Sequence, residues 1–415
     1  MKKSKLIALL PFLAVSALTG CNRSRSTGEI TLTIWEDKSN KAVVQQLCDL
    51  FVQKYKSTYY DAPNITIKVV EHSERSAMED MLTLAPTGKG PDIAAVTHNT
   101  IANGVAATIV AEATFASDLK ERMTEDAISA VTVNDKAKGD GIYGYPITAE
   151  SQVVMYDDTL ISASELTSFE TLKESGKKLG LSLTGDNAGY YTWALYTDAV
   201  MFGEDGRDAS KLEIAKPESI ANVKYFYNTF VKGSNTVFEN CDPETALNHV
   251  VNKRIAGFIT SPYMLSEMQE TIGDHLKVAP IPTLNGKTLS PFSGYKAYVV
   301  SRYSENGALA QMLCEYLTSV DSNLIRLIEK GYLPATPFDY NKDIRDAISA
   351  SEFASVFKQS YDASRVMPNI PKVQSVWREL NTKVSNFYTE SGKGDLTDEY
   401  ITAQLQDATD AILRG

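Results

Sequence analysis

The chain has 415 residues, 43% of them hydrophobic and 22% charged, with 24 Gly and 15 Pro. This is the profile of an ordinary folded chain, and it excludes disordered, collagen-like and polytopic membrane classes. The length exceeds one small core and predicts two or three packed units. Lys and Arg total 41 against 52 Asp and Glu, a net charge of −11, the wrong balance for a nucleic-acid face. Four His and four Cys, with no C-x-x-C pair among Cys21, Cys48, Cys241 and Cys314, argue against a structural metal site. No cofactor is expected.

Lys2, Lys3 and Lys5 precede an apolar run from Leu6 to Leu18, and small residues follow at Thr19 and Gly20, the pattern of a secretory signal over residues 1–20. The run is too short for the ~20 residues that cross a bilayer. Its ending, Leu18-Thr19-Gly20-Cys21, resembles the bacterial lipobox, which implies cleavage before Cys21 and a diacylglycerol on its thiol. Two or three acyl chains would hold the protein stably at a membrane surface. The expected location is the cell envelope, outside the cytoplasm, as a membrane-anchored lipoprotein. Residues 21–29 are polar, without apolar period, and are expected to form a tether.

Ile30, Leu32 and Ile34 alternate with Thr31 and Thr33, which predicts a strand. Val43, Val44, Leu47, Leu50, Phe51 and Tyr55 repeat at helical spacing. Ile65 to Val70 is strand-like, Ser76 to Ala85 helical, and Asp92 to Val96 strand-like again. That order predicts a parallel sheet with helices on its faces. Gly139 to Ile147 is Gly- and Tyr-rich and extended, a crossing between units. Helices are then expected over Leu166 to Leu179, Trp193 to Phe202, Pro217 to Phe230 and Pro243 to Val251, with short strands at Ile255 to Ile259 and Leu276 to Ile281. The Pro- and Gly-rich stretch Pro280 to Gly294 predicts a second crossing before a strand at Ala297 to Val300. A helix follows around Ala308 to Thr318, and the tail is helical through Ile401, Leu405, Ala408 and Ile412.

Catalytic and cofactor motifs fail on context. Gly139-Asp140-Gly141-Ile142-Tyr143-Gly144 fits G-x-G-x-x-G, but a polar run precedes it and an extended segment follows, whereas a dinucleotide loop must open a helix. No H-E-x-x-H or G-x-S-x-G occurs, and His72, His98, His249 and His275 are scattered. Cys48 and Cys314 fall among helical apolar positions and are expected to be small buried hydrophobes, while Cys241 sits in a loop. Twenty-one Tyr, 14 Phe and 3 Trp suit surfaces that are apolar on one side and wet on the other. Pyranose rings offer such a surface, because their C–H patches stack on aromatic faces and their hydroxyls donate to carboxylates in charge-assisted bonds.

Ile34-Trp35-Glu36-Asp37-Lys38, Gly88-Lys89-Gly90-Pro91-Asp92-Ile93 and Tyr143 to Glu150 are followed along the chain by Tyr190-Tyr191-Thr192-Trp193, Ser261-Pro262-Tyr263 and Val366-Met367-Pro368-Asn369-Ile370-Pro371 with Trp377. In that order these segments resemble the extracellular solute-binding proteins of bacterial ABC sugar importers, specifically the maltose-binding-protein branch. The resemblance implies two α/β lobes joined at a hinge, expected over residues 30–148 with 297–343, and 149–296 with 344–415. It implies a non-enzymatic, monomeric protein that captures an oligosaccharide, such as a malto-oligosaccharide, and delivers it to ABC permease subunits. By matching position, Asp37, Lys38 and Glu150 would bond sugar hydroxyls, and Tyr190, Tyr263 and Trp377 would be stacking faces. Trp35 is expected in the core. The chain departs from maltose binders at Val96, Asn99, Thr100, Tyr263 and Arg378; Arg378 stands where the family has a Tyr beside the Trp and is counted with the ligand residues. The alternatives are a lipid-anchored glycan-processing enzyme and a binder of a charged small solute.

Overall fold

The computed structural model describes residues 28–59, 62–233 and 236–414; the expected signal sequence, Cys21 and most of the tether lie outside them. Strand β1 (Ile30–Glu36) buries Leu32 and then Ile34, Trp35 and Glu36 in succession, and the helix Lys41–Thr58 buries Val43, Val44, Leu47, Cys48 and Phe51. Strands β2 (Ile65–Glu71) and β3 (Ile93–Thr97) flank β1 in parallel, with the helix Ala77–Leu84 between them in sequence. The βαβ pattern of the sequence is realised here.

Strands β4 (Thr132–Asp135) and β5 (Gly139–Ile142) form an antiparallel hairpin, so the G-x-G-x-x-G segment is a turn and a strand and opens no helix. Strand β6 (Tyr145–Ser151) joins the first sheet, and β7 (Val153–Asp157) starts a second one after the single residue Gln152. Strand β8 (Leu179–Leu181) adds to the second sheet, and a small ribbon follows from β9 (Val200–Met201) and β10 (Leu212–Glu213). Strands β11 (Phe238–Asn240), β12 (Gly257–Thr260) and β13 (Leu276–Ala279) complete the five-stranded order β11-β8-β12-β7-β13. Residues 280–291 carry the chain back, and β14 (Phe292–Val300), β15 (Leu333–Pro334) and β16 (Arg365–Val366) fill the seven-stranded sheet. Its order is β15-β6-β14-β3-β1-β2, with β16 beside β14.

The chain then passes a third time, beyond β16, to the helices Val373–Ser391 and Asp398–Arg414, which pack on the second sheet's side. The helix Glu352–Asp362 touches both β6 and β13, bridging the sheets. Three passages thus join two α/β lobes, one more than the composition of the linking segments reveals.

Trp193 to Phe202 is not a helix. A short 3-10 turn at Trp193–Leu195 gives way to β9, and Phe202 and Gly203 both adopt left-handed backbone, φ 63° and 79°, which stops any helix. The helix expected to reach Leu179 ends at Ser175 because Gly176 caps it at φ 68°, freeing Leu179–Leu181 for the sheet. Pro243–Val251 is helical as expected, started by Asp242, whose carboxylate accepts from Thr245 N–H. Cys48, Cys241 and Cys314 are buried and unbridged.

Candidate ligand-binding site

The site gathers where the passages cross. Glu150 and Lys296 lie on paired strands, Gly294 opposite Glu150 and Lys296 opposite Thr148, so their side chains share a face two positions apart. A register shift follows Lys296, a bulge of the kind that re-aims a side chain. The Lys296 ammonium lies 3.0 Å from Glu150 Oε1 and 2.8 Å from Glu74 Oε1. Glu74 comes from the turn between β2 and the helix Ala77–Leu84, where Ser76 N–H donates to the Ser73 carbonyl. Upstream, His72 stacks flat on the buried Trp35 at 4.1 Å, which fixes the turn beside the end of β1.

Lys296 and Glu74 are 5% and 7% exposed and Glu150 15%. Burial, opposed by Lys296 and reinforced by Glu150, pushes the Glu74 carboxyl up to about 7. Burial works against the Lys296 charge, yet Glu150 and Glu74 outweigh it and hold its pKa well above the usual lysine range. Glu74 Oε2, Gln152 Oε1 and Thr148 Oγ1 are buried without a hydrogen-bond partner among the described residues, whereas buried polar atoms are almost always paired. Gln152 itself is held by donating from Nε2 to the Tyr190 carbonyl at 2.8 Å.

The folded-state pKa of Glu74 lies above its usual value of 4.5. Its proton-linked stability is therefore fully present below about pH 4.5 and is lost as pH rises through about 7. Glu74→Gln should flatten that decline and raise the melting temperature at pH 8. Thermal melts from pH 4.5 to 8 check this, and equal slopes in both proteins would refute it.

Aromatic residues form the second lobe's wall. The helix Ala188–Thr192 seats against Val373–Ser391 at Gly189, where a Cβ would meet Leu380 Cβ at 2.7 Å, and Gly189 N–H donates to Asn381 Oδ1 at 2.8 Å. This close approach brings Tyr190 edge-on to Trp377, ring centroids 6.1 Å apart. Trp377 also meets Trp193 and Phe292 edge-on, and those two rings stack on each other at 4.5 Å. Tyr191 lies 5.1 Å from Tyr190, and Tyr263 follows from the 3-10 turn Pro262–Met264 after β12. Burial, Tyr191 and the charge of Glu150 push the Tyr190 phenol up, which places Glu150 beside the wall.

Arg75, next to Glu74, crosses from the first lobe to the second. Its guanidinium lies 4.2 Å from the Tyr263 ring centroid and 3.6 Å from Glu244 Oε1, to which the Tyr263 hydroxyl donates at 3.2 Å. Burial opposes its charge, but Tyr263, Tyr191 and Glu244 outweigh that and raise its pKa.

Of the residues singled out in the sequence, Glu150, Tyr190, Tyr263 and Trp377 are brought together in this way. Asp37 is near enough for its charge to raise Glu74, but its Oδ1 already accepts from Ser39 N–H and Oγ–H at 2.9 and 2.7 Å. Lys38 is exposed. Arg378 is 72% exposed and pairs with Glu379, one helical step away from the face of Trp377. Glu74, Arg75 and Lys296 were missed. One cue was available: Lys296 is the only charged residue in the strand Phe292–Val300, and a charge inside an apolar strand demands a buried partner.

The Met367-Pro368-Asn369 motif acts as a strap. Asn369 donates from Nδ2 to the Ala130 carbonyl at 2.7 Å and accepts from Ala102 N–H at 3.2 Å. Buried His98 accepts from Tyr295 N–H at Nδ1, so Nε2 carries the proton that it donates to the Met367 carbonyl at 2.8 Å. A recess of about 630 Å³ lies beside the strap, lined by Ala130, Trp193, Gly203 and Phe292. Its Arg365 is spent on the carbonyls of Tyr196, Thr197 and Ala199, leaving less convergent polar chemistry than at Glu74 and Glu150. Asp157, Asp158 and His275 place ligand atoms within 4.8 Å of one another at the surface. His275 is bonded to Asp158 across the paired strands β7 and β13, and Asp157 accepts from Thr159 N–H, so these groups already have partners. Among the described residues no helix is long and apolar enough to cross a membrane.

Residues 51–343 match the family described as bacterial extracellular solute-binding protein. The chain is 25% identical over 390 residues to the galactooligosaccharide-binding protein of Bacillus subtilis strain 168, spanning 90% of this chain and 87% of that one. It is 24% identical over 422 residues to the maltodextrin-binding protein MdxE of the same organism, spanning 95% and 94%. Its fold is similar to that of maltodextrin-binding protein MalE1 from L. casei BL23 without ligand, with a TM-score of 0.76 at 18% identity over 94% of this chain and 100% of that one. It is also similar to maltose-binding periplasmic protein MalE from Listeria monocytogenes in complex with maltose, with a TM-score of 0.73 at 22% identity over 94% and 98%. By the family match, the two lobes and the three passages between them, this chain belongs to the bacterial extracellular solute-binding proteins.

Proposed function

We propose that the chain captures an oligosaccharide of hexoses between its lobes and delivers it to the permease of an ABC importer, without chemical turnover. The observation that carries this reading is the half-buried aromatic pair Trp377 and Tyr190 beside half-buried Glu150 and buried Glu74, whose Oε2 has no hydrogen-bond partner among the described residues. Sugars ask for that combination: apolar ring faces with hydroxyl donors on the rim. The names of the relatives, which bind galactooligosaccharides and maltodextrins, support the same ligand class. The expected lobes, residues 30–148 with 297–343 and 149–296 with 344–415, are proposed with Phe292 to Lys296 and Arg365–Val366 moved to the first lobe, whose sheet they join, and Asp37, Lys38, Glu150, Tyr190, Tyr263 and Trp377 are proposed as ligand contacts. Arg378 is proposed only for a ligand that reaches the exposed side of its helix.

A thermal-shift panel of maltodextrins, galactooligosaccharides and polyamines tests the ligand class. Stabilisation by an oligosaccharide that is recovered intact is expected; stabilisation by the amines alone, or cleavage of the sugar, would refute the proposal. The lipobox-like Leu18-Thr19-Gly20-Cys21 and relatives named as solute-binding lipoproteins in Streptococcus pneumoniae support anchoring through Cys21. Cys21→Ser should move the protein from the membrane fraction to the soluble fraction, and a variant that stayed lipid-labelled would count against it.

A further inference from the structure

Resting on the sugar-binding reading above, we propose that Glu74 is a further ligand residue, which accepts a sugar hydroxyl at Oε2 and gives up a proton to the solvent as it does so. Its Oε1 is committed to the Lys296 ammonium at 2.8 Å. Oε2 is buried without a hydrogen-bond partner among the described residues, as is Thr148 Oγ1. Thr148 lies opposite Lys296 and two positions from Glu150 on β6, so these polar groups surround one ammonium on one face of the sheet. A buried acceptor left open at such a place fits a hydroxyl donor.

The charges around Glu74 do not balance. Glu150 from β6 and Asp37 from the loop after β1 raise it, and Lys296 from β14 alone opposes them, with the Tyr332 ring 5.6 Å from that ammonium. On its own turn, Arg75 is engaged by Tyr263 and Glu244, and His72 by Asp80. Glu74 is the more buried of the two carboxylates that share Lys296. With its carboxyl pushed up to about 7, it is half protonated at neutral pH. A hydroxyl that donates to the carboxylate makes a charge-assisted bond, about twice as strong as a bond to the neutral carboxyl. Sugar should therefore bind the carboxylate form about ten-fold better. The hydroxyl keeps its own hydrogen, and the proton leaving Glu74 goes to the buffer.

Calorimetric titration with α-1,4-linked glucose oligomers and galactooligosaccharides of two to five rings, at pH 6, 7 and 8 in phosphate and in imidazole, tests this, because the two buffers take up a proton with different heats. The wild type should release about 0.4 proton per ligand at pH 7, and its affinity should rise about five-fold from pH 6 to pH 8. Glu74→Gln keeps an acceptor without the charge. It should bind within about two-fold of the wild type at pH 6 and about ten-fold more weakly at pH 8, and release no proton. Glu150→Gln removes one of the charges that raise Glu74, so the rise should remain but move to lower pH; it serves as the second test where Glu74→Gln does not fold. Binding without proton release in the wild type, a pH dependence that survives in Glu74→Gln and so belongs to His72 or another group, or an unmoved midpoint in Glu150→Gln would overturn the proposal and leave the sugar reading standing. A folded wild type that bound no member of either series would overturn both.

Discussion

Lys296→Met should destabilise the protein by about 3–5 kcal/mol, the usual cost of removing one partner from a buried ion pair. Methionine fills much of the lysine's volume, so the loss is electrostatic. Glu74 Oε1 and Glu150 Oε1, 2.8 and 3.0 Å from the ammonium in the wild type, would face each other in a site where burial already pushes Glu74 up to about 7. A proton can substitute for the lost cation, so the deficit should be smaller at pH 5 than at pH 8. Glu74→Gln in the same background should recover part of it, since one carboxylate is then gone; the coupling between the two sites is the measure of the network. Denaturant unfolding at both pH values checks these expectations, and a pH-independent loss below about 1 kcal/mol would mean that water reaches the trio.

Trp377→Ala should weaken oligosaccharide binding by about 2 kcal/mol or more, roughly 30-fold, as for an aromatic anchor at the centre of a contact. The side chain is half-buried and lies near-perpendicular to Tyr190, Trp193 and Phe292, so it both packs on the second lobe and keeps surface open to a ligand. Some thermal stability should therefore be lost with the affinity. Trp377→Phe separates the two roles, because it keeps an aromatic edge near Tyr190 with a smaller face. Calorimetry beside thermal melts decides: full affinity in a folded Trp377→Ala would make the ring a support for Trp193 and nothing more.

Much of the first lobe was legible because its periodicities are simple. Ile30, Leu32 and Ile34 alternate, and Val43, Val44, Leu47 and Phe51 recur at helical spacing; both patterns became the elements they suggest. Legibility failed where single residues override a pattern. The apolar run after Trp193 suits a helix, but the left-handed backbone at Phe202 and Gly203 and the commitment of Asp198 to the N–H groups of Glu218 and Ser219 hold it as a turn. The third passage between lobes carries no compositional mark, because Val366 to Pro371 is fixed by contacts made by Asn369 and by His98 from far along the chain.

The site divides in the same way. Glu150, Tyr190, Tyr263 and Trp377 stand in segments that resemble a known family, and the fold collects them. Glu74, Arg75 and Lys296 belong to no such segment, and only the pairing of β6 with β14 and the turn after β2 bring them to Glu150 and Tyr263. Charged residues in a turn look solvated in sequence, and their partners are supplied by the other strands and the other lobe.

Capture of one ligand by both lobes, at Glu150 and the aromatic wall, requires tighter binding to the closed form than to the open one. Small-angle scattering of the mature protein, and of Glu150→Gln, during titration with the oligosaccharide that stabilises it best tests this directly. The scattering curve should follow ligand saturation as the lobes close. Glu150→Gln should need about 10- to 150-fold more sugar to reach the same state, as for the loss of a charged hydrogen bond. Saturable sugar binding with the same midpoint in Glu150→Gln and the wild type, or with no accompanying change in scattering, would contradict it.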